Sequence, residues 1–435
     1  MHETCLRTQR RVHIVAVLLL VCPAVFAGAA GGQQAPAAMK IDLDQAIQMA
    51  IDHNHALKAA RAQIQQSQAQ EITASLRPNP VFSADIGFVP IFSPSYFGTP
   101  VSENPLPPEF DAGLAYTIER GHKRQARTQA ARDQTAVTRS QVSDNERTLT
   151  FNVAQQFVGA LLAKSTLEFA RQDLASFEET VGISEARYKA GDISENDFLR
   201  IKLQLLQFQT DVSAAQLSLV QALASLRSFL GYESVPEGYD VVGNLAYQPL
   251  HVNLQDLQAV ALGLRPDFLA AKQSVTAAES QYQLARANGK RDLTLSFTYN
   301  HTTGLNTASF GGDIELAFFD KNQGEIARTR YAITQFEESR TATEQIVVTD
   351  VRTAYEATRT DGHMVELYES GFLKVAQESR DISQFAYQKG AASLLDFLDA
   401  ERSYRGTQLA YRQALGTYML DVEQLREAVG KRTLP

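Results

Sequence analysis

Tyr188-Lys189-Ala190-Gly191-Asp192-Ile193-Ser194-Glu195-Asn196-Asp197-Phe198-Leu199 is answered later in the chain by Tyr387-Gln388-Lys389-Gly390-Ala391-Ala392-Ser393-Leu394-Leu395-Asp396-Phe397-Leu398. Tyr, Gly, Ser, Asp, Phe and Leu recur at one constant offset. An internal repeat on this scale decides the architecture before any single motif does. Gly191 and Gly390 are helix-stopping residues. Ser194-x-x-Asp197 and Ser393-x-x-Asp396 are capping boxes with Asp in place of Glu, each opening a return helix. These residues describe a tight helical hairpin, made twice, whose tips are also available as a contact surface.

Working outward, the pattern predicts two very long helices, Lys123–Lys189 and Gln323–Gln388, with return helices Glu195–Leu230 and Leu394–Val429. Leu149, Val153, Ala160, Leu167, Leu174, Phe177, Val181 and Tyr188 form a seam with steps of three, four and seven, a coiled-coil rhythm. A helix of this length is a rod of roughly 100 Å at 1.5 Å per residue. No single globular core is that long, so the rods must pack side by side as a bundle or tube. Each copy opens with a short helix (Leu43–Asp52; Leu254–Leu264) and a longer one (Ala56–Leu76; Asp267–Ala287). The first repeat spans 28–231, a Gly-, Pro- and Tyr-rich connector 232–253, the second repeat 254–430, and a tail 431–435.

Between the early and the long helices of each copy lie two alternating segments, about 81–90 and 110–119, then 292–301 and 309–319. Phe82, Ala84, Ile86 and Phe88 oppose Ser83, Asp85 and Gly87. Phe110, Leu114, Tyr116 and Ile118 oppose Asp111, Gly113, Thr117 and Glu119. Leu293, Leu295, Phe297 and Tyr299 oppose Thr294, Ser296, Thr298 and Asn300. Phe310, Ile314, Leu316 and Phe318 oppose Gly311, Asp313, Glu315 and Ala317. Nine or ten residues suffice for a tilted strand to cross hydrocarbon, and aromatic residues on the apolar face suit a transmembrane barrel. The competing reading is a half-buried sheet lying on helices. Four strands cannot close a barrel, and open edges are not tolerated in lipid. A transmembrane reading therefore requires several chains to share one barrel. Its lumen would carry Asp85, Asp111, Glu119, Asp313 and Glu315, which otherwise are solvated surface acids. Ile91–Pro108 is a long Pro-rich loop, and its counterpart Thr302–Ala308 is short.

Arg7, Arg10 and Arg11 precede an apolar run from Val12 to Val21, then Val25-Phe26-Ala27, which marks residues 1–27 as a secretory signal peptide cleaved after Ala27. Cys22 offers a rival lipoprotein reading, although Val21 stands where a small residue is wanted. With Cys5 and Cys22 both in this segment, cleavage leaves no disulfide and no thiol chemistry. Cleavage also removes three Arg and one Glu, making the mature chain still more acidic than the full chain's −8. An acidic chain with pI about 5.6 is no nucleic-acid binder. The mature chain holds no HExxH, no Walker loop and no cysteine nucleophile. His53 and His55, two apart across Asn54, do not share a helical face. No enzyme activity, cofactor or metal site is expected.

The order of these motifs resembles the TolC-like outer-membrane efflux proteins over nearly the whole mature chain. The resemblance is carried by Leu43-Asp44-Gln45-Ala46-Ile47-Gln48-Met49-Ala50, His55-Ala56-Leu57-Lys58-Ala59-Ala60-Arg61, Leu76-Arg77-Pro78-Asn79-Pro80 and the two hairpin turns. Ile118-Glu119-Arg120-Gly121-His122-Lys123-Arg124 and Phe318-Phe319-Asp320-Lys321-Asn322-Gln323-Gly324-Glu325-Ile326-Ala327 are similar to the cobalt–zinc–cadmium (CzcC-like) heavy-metal branch. The resemblance implies a mainly α protein with transmembrane β-structure. Its long α-helical hairpins form a trimeric periplasmic tube, and four strands per chain join a shared twelve-stranded outer-membrane barrel. It implies a homotrimer in outer-membrane lipid, docked through Gly191, Ser194, Gly390 and Ser393 on a periplasmic adaptor (membrane fusion protein) and an inner-membrane pump of RND type. The duct would be a passive exit, for heavy-metal cations; drug efflux or type I protein secretion by the same duct are the alternatives, and a periplasmic coiled-coil adaptor or structural protein a more distant one. Three-fold symmetry would make a carboxylate near the closed periplasmic end into an acidic ring, with Glu378 and Asp381, or Asp192, as candidate gate residues, unless these acids only solvate a helix face.

Overall fold

The computed structural model describes residues 39–87, 109–302 and 304–434. The signal segment, Cys22, Phe88 and the Ile91–Pro108 loop lie outside the described residues. Two short helices, α1 (Leu43–His53) and α2 (His55–Ser75), come first, after a two-residue strand β1 (Lys40–Ile41). Asp42 caps α1 with a full capping box to Gln45. Strands β2 (Val81–Gly87) and β3 (Glu109–Ile118) lead into α3 (Lys123–Ala190), an unbroken helix of 68 residues. The return helix α4 (Glu195–Leu230) is followed by β4 (Asp240–Val241), which pairs in parallel with β1. The connector thus contains a strand that its Gly- and Pro-rich composition hides. It buries Val235, Tyr239 and Val241 with Ile41, Phe157 and Leu226.

The second copy runs α5 (Leu254–Leu264), α6 (Pro266–Asn288), β5 (Leu293–Thr302), β6 (Leu305–Ile314), α7 (Gln323–Leu367), α8 (Leu373–Gln388) and α9 (Leu394–Val429). Between α7 and α8 a π-helical turn, Tyr368–Phe372, interrupts the expected single helix, and Gly371 sits there at φ 149°. Only glycine takes such a backbone without strain. The first copy has no counterpart to this break within α3.

Four strands form one antiparallel sheet in the order β2-β3-β5-β6. The fourth strand ends at Ile314, earlier than the 309–319 expected. Its register is set by a two-residue turn that pairs Thr302 with Leu305, with Gly304 at φ 79°. The expected Thr302–Ala308 loop is therefore mostly strand, and Glu315, Leu316, Ala317 and Phe318 lie past its end.

The core runs along α3. Near its upper half Leu149, Val153, Ala160 and Leu161 pack with α1, α4 and the connector. Near the tips Phe177 joins Ile201, Phe208, Tyr387, Leu394 and Phe397 from both hairpins. Arg265, almost fully buried at the α5–α6 joint, reaches Asp267 at 2.6 Å and Asp350 at 3.0 Å, and donates to the Ala428 carbonyl at 3.2 Å. It thereby ties α5, α6, α7 and α9 together.

Candidate functional site

The sheet has two chemically distinct faces. Phe82, Leu114, Phe297 and Phe310 stand in register across all four strands, with the Phe297 and Phe310 rings 5.2 Å apart. This face is open: Phe310 is 85% exposed and Phe82 71%. On the other face Asp85 pairs with Asp111, Asp111 with Asn300, and Asn300 with Thr307. Asn300 Nδ2 donates to Asp111 Oδ1 at 2.7 Å and also to Glu109, while Thr117 and Thr294 share a hydroxyl bond of 3.1 Å. Asp313 lies on this polar face opposite Thr294 near the helical end. β2 and β6 are the sheet's edges, each with one side unpaired among the described residues.

The remaining two acids of the expected polar lining sit just beyond the strands and are engaged. Glu119 is bound by Arg127 at 2.7 Å, and the same guanidinium donates to the Ala74 and Leu76 carbonyls, clamping the end of α2 to the strand–helix junction. Glu315 pairs with Arg291 at 3.0 Å. Asp292 binds Lys123 at 2.8 Å and the Arg120 amide at 2.9 Å. The chain turns from strand into helix through left-handed residues, Gly121 and His122 before α3 and Asn322 before α7. His and Asn are among the side chains that tolerate this region.

At the tips Gly191 (φ 82°) and Gly390 (φ 75°) are left-handed. Ser194 accepts from the Asp197 amide, but the reciprocal bond that completes a capping box is found only at Ser393, where Asp396 accepts from the Ser393 amide at 3.3 Å. Phe208 stacks on Phe177 at 4.3 Å, and Phe397 lies between Phe177 (6.3 Å) and Tyr387 (5.4 Å). Just below this column the Tyr387 hydroxyl meets Ser184 at 3.2 Å, Arg187 donates to the Tyr387 carbonyl at 2.6 Å, and Gln384 donates to Thr180 at 3.0 Å. The two hairpins are thus bolted together at their lower ends. Glu378 and Asp381 are exposed on α8; Lys374 lies 3.7 Å from Glu378, and Arg380 2.8 Å from Asp381. Asp192 is exposed in the α3–α4 turn. His53 caps the end of α1 through the Met49 carbonyl and is separated from His55 by the Asn54 break.

Sequence patterning missed one further group. Asp173, Glu401 and Asp421 are buried acids on α3 and α9, at positions a helical pattern assigns to solvent or seam without distinction. Their neighbours come from other helices, so no local signal marks them.

A wall of long helices that continues into a sheet with one apolar and one polar face is a conduit geometry. Residues 46–232 and 257–431 match the outer membrane efflux protein family. This chain belongs to that family. It is a family of outer-membrane channels rather than enzymes. The chain is 24% identical over 407 residues to the pyoverdine export outer membrane protein OpmQ of Pseudomonas aeruginosa, covering 89% of this chain and 84% of that one. It is 22% identical over 382 residues to the cobalt-zinc-cadmium resistance protein CzcC of Cupriavidus metallidurans, covering 87% and 88%. A crystal structure of CusC superposes with a TM-score of 0.74 at 20% identity, over 89% of this chain and 92% of the other. Among the described residues no helix is long and apolar enough to cross a membrane.

Proposed function

We propose that three copies of this chain close a twelve-stranded barrel in the outer membrane, continuous with a helical tube in the periplasm. The assembly is the passive exit duct of a tripartite efflux system. The observation that carries this reading is the four-stranded sheet with an exposed apolar face and two open edges. In lipid those edges must be paired, and a neighbour's β2 against β6 pairs them all once the ring closes. The helices carry a matching pair of unpartnered stripes. Leu199, Leu203, Leu206, Leu217 and Val220 are exposed along α4, and Phe372, at the end of the π-turn, with Val375, Ile382 and Phe385 along α8. The first steps by four, three, eleven and three and the second by three, seven and three, so α4 of one copy can seat on α8 of the next, a head-to-tail contact that closes under three-fold rotation.

The hairpin tips around Gly191, Ser194, Gly390 and Ser393 are the natural seat of a periplasmic adaptor linked to an inner-membrane pump of RND type. The cargo reading is a heavy-metal cation, supported by the likeness to CzcC and by the Asp85–Asp111 carboxylate pair on the polar face. Export of an organic solute through the same duct is the second reading, favoured by the likeness to OpmQ. Mass measurement of the detergent-extracted outer-membrane protein tests the assembly: a particle of three chains is expected, and a soluble single chain refutes it. Metal tolerance of a deletion strain with and without this gene, set against its tolerance of organic siderophores and dyes, separates the two cargoes.

A further inference from the structure

The places where sheet meets helix carry a charge opposite to that of the whole chain. Residues 76–80, 119–127, 286–292 and 315–328 hold ten Lys or Arg against five Asp or Glu, whereas the full chain has 41 against 49. Hydrogen bonds draw these four segments to one level. Arg127 donates to the Leu76 carbonyl at 2.9 Å, the Arg120 amide donates to Asp292 at 2.9 Å, and Asn322 Nδ2 donates to the Ala285 carbonyl at 2.7 Å. Lys290 lays its stem over Gly121, where a Cβ would fall 2.6 Å from Lys290 Cγ.

The acids at this level are already engaged. Glu119, Asp292, Glu315 and Glu325 pair with Arg127, Lys123, Arg291 and Arg328. Asp320 accepts from the Asn322 amide at 2.7 Å. Of the six cations left over, Arg286 lies over the Tyr282 ring. The other five, Arg77, Arg120, Arg124, Lys290 and Lys321, make no ion pair among the described residues, and all but Arg124 are exposed.

Two of these five share a cleft with an apolar wall. It encloses about 280 Å³ between the end of α2 and the start of α3, and Arg77, Arg124 and Lys123 line it together with Pro78, Tyr116 and Ile118. Tyr116 and Ile118 stand in register with Leu295 and Leu293, on the same face as Leu114 and Phe297. The cleft therefore opens at the helical rim of the sheet's apolar face. Cations beside an apolar wall match an amphiphilic anion, since a small free anion gains nothing from Tyr116 and Ile118. Just past β6, Phe318 is 74% exposed and Phe319 93%. Aromatic side chains collect at the membrane–water interface, where one end is apolar and the other wet.

We propose that this junction binds an anionic phospholipid, its phosphate held by Arg77 and Arg124, its acyl chains laid on Tyr116 and Ile118, and Phe318-Phe319 set in the interface beside it. The site rests on the channel reading above. In the closed ring β6 of one copy lies antiparallel beside β2 of the next, which puts Phe318-Phe319 next to the neighbour's Arg77–Pro80. A guanidinium offers phosphate paired N–H donors. A headgroup held where strand gives way to helix sets how deep the barrel sits.

The native trimer in detergent is offered equal amounts of phosphatidylglycerol and phosphatidylcholine with identical acyl chains, and the retained lipid is read by native mass spectrometry. Each Lys or Arg at an anionic lipid surface gives about a fivefold preference, so two should retain phosphatidylglycerol roughly 25-fold over phosphatidylcholine. Arg77→Gln with Arg124→Gln should bring the ratio near one. Arg352→Gln with Arg402→Gln, which removes two exposed charges elsewhere, should leave it unchanged. Equal retention of both lipids by the native trimer, or the same loss in both double variants, overturns the proposal. Calorimetric titration of the native trimer with inorganic phosphate at constant ionic strength separates the sources: binding as tight as the lipid's makes the cleft a free-anion site and overturns it. The chain has no Trp, so Phe319→Trp and Phe310→Trp are single reporters in vesicles of brominated phosphatidylglycerol. Quenching of both is expected. Quenching at 310 alone overturns the junction site and leaves the channel reading standing, whereas quenching at neither strikes both. The arms on the native trimer decide the matter even where a double variant fails to assemble.

Discussion

Replacing Leu114 with Arg tests the membrane reading at its most exposed point. β3 spans ten residues, Glu109–Ile118, and Leu114 lies at its middle, in register with Phe82, Phe297 and Phe310. Ten residues at about 3.3 Å, tilted by roughly 40°, make an apolar band about 25 Å tall, so Leu114 sits at the bilayer midplane. An Arg there costs about 2–4 kcal/mol per chain, and a trimer carries that penalty three times, roughly 6–12 kcal/mol. That is comparable to the whole stability of a typical domain, about 5–15 kcal/mol. Leu114→Arg should therefore leave no heat-modifiable trimer in purified outer membranes. Thr298→Arg, on the opposite face and pairing with Gly113 and Ser309, should assemble at near-normal yield. Normal trimer from Leu114→Arg, or loss in Thr298→Arg with Leu114→Arg intact, refutes the assignment of the apolar face to lipid.

The tips supply a second test: Gly191→Val or Gly390→Val forces a β-branched residue to positive φ at about 1–3 kcal/mol, and efflux should be lost while trimer still reaches the outer membrane. Ile382→Asp with Val375→Asp, on the exposed α8 stripe, should lower trimer yield without unfolding the chain, read by cross-linking against circular dichroism. Arg265→Ala strands Asp267 and Asp350 near a buried joint and should cost about 3–5 kcal/mol in thermal stability. Glu378→Ala with Asp381→Ala should change single-channel conductance and weaken divalent-cation block; unchanged values remove these acids from the gate.

What could be foreseen divides along a physical line. Periods of 3.6 and 2 are properties of a single segment, so the long helices around Phe177 and the faces at Phe82 and Phe297 were legible. Strand ends were less so. The even positions Leu316 and Phe318 continue the parity of Phe310 and Ile314, and the alternation cannot say where the chain stops pairing. The turn at Gly304 sets which residues face each other, and β5, beginning at Leu293 opposite Ile314, leaves no partner strand beyond it. The break at Gly371 had a local signal, Ser370-Gly371 inside a helical run, that the heptad rhythm overrode. Asp173, Glu401 and Asp421 had none, because a carboxylate on a long helix is ordinary until a second helix covers it.

The two repeats share one plan and divide its labour unequally. α3 is buried along its whole length, from Ala130 to Ser184, by partners on several sides. α8 fully buries Tyr387 alone, and Val375, Ile382 and Phe385 face outward. Local stability follows buried apolar contact, so within one chain α8 is the weaker rod and α3 the fixed one. A neighbouring copy's α4 is what would complete α8, which makes the second hairpin's rigidity a property of the trimer rather than of the chain. Within the chain α8 is held by its packing on α9, by Arg380 over the Tyr404 ring and by the Tyr387, Arg187 and Gln384 bonds to α3, and it is jointed at Gly371. In the proposed duct α3 would be the rigid wall, and α8, jointed at Gly371, the wall that can yield.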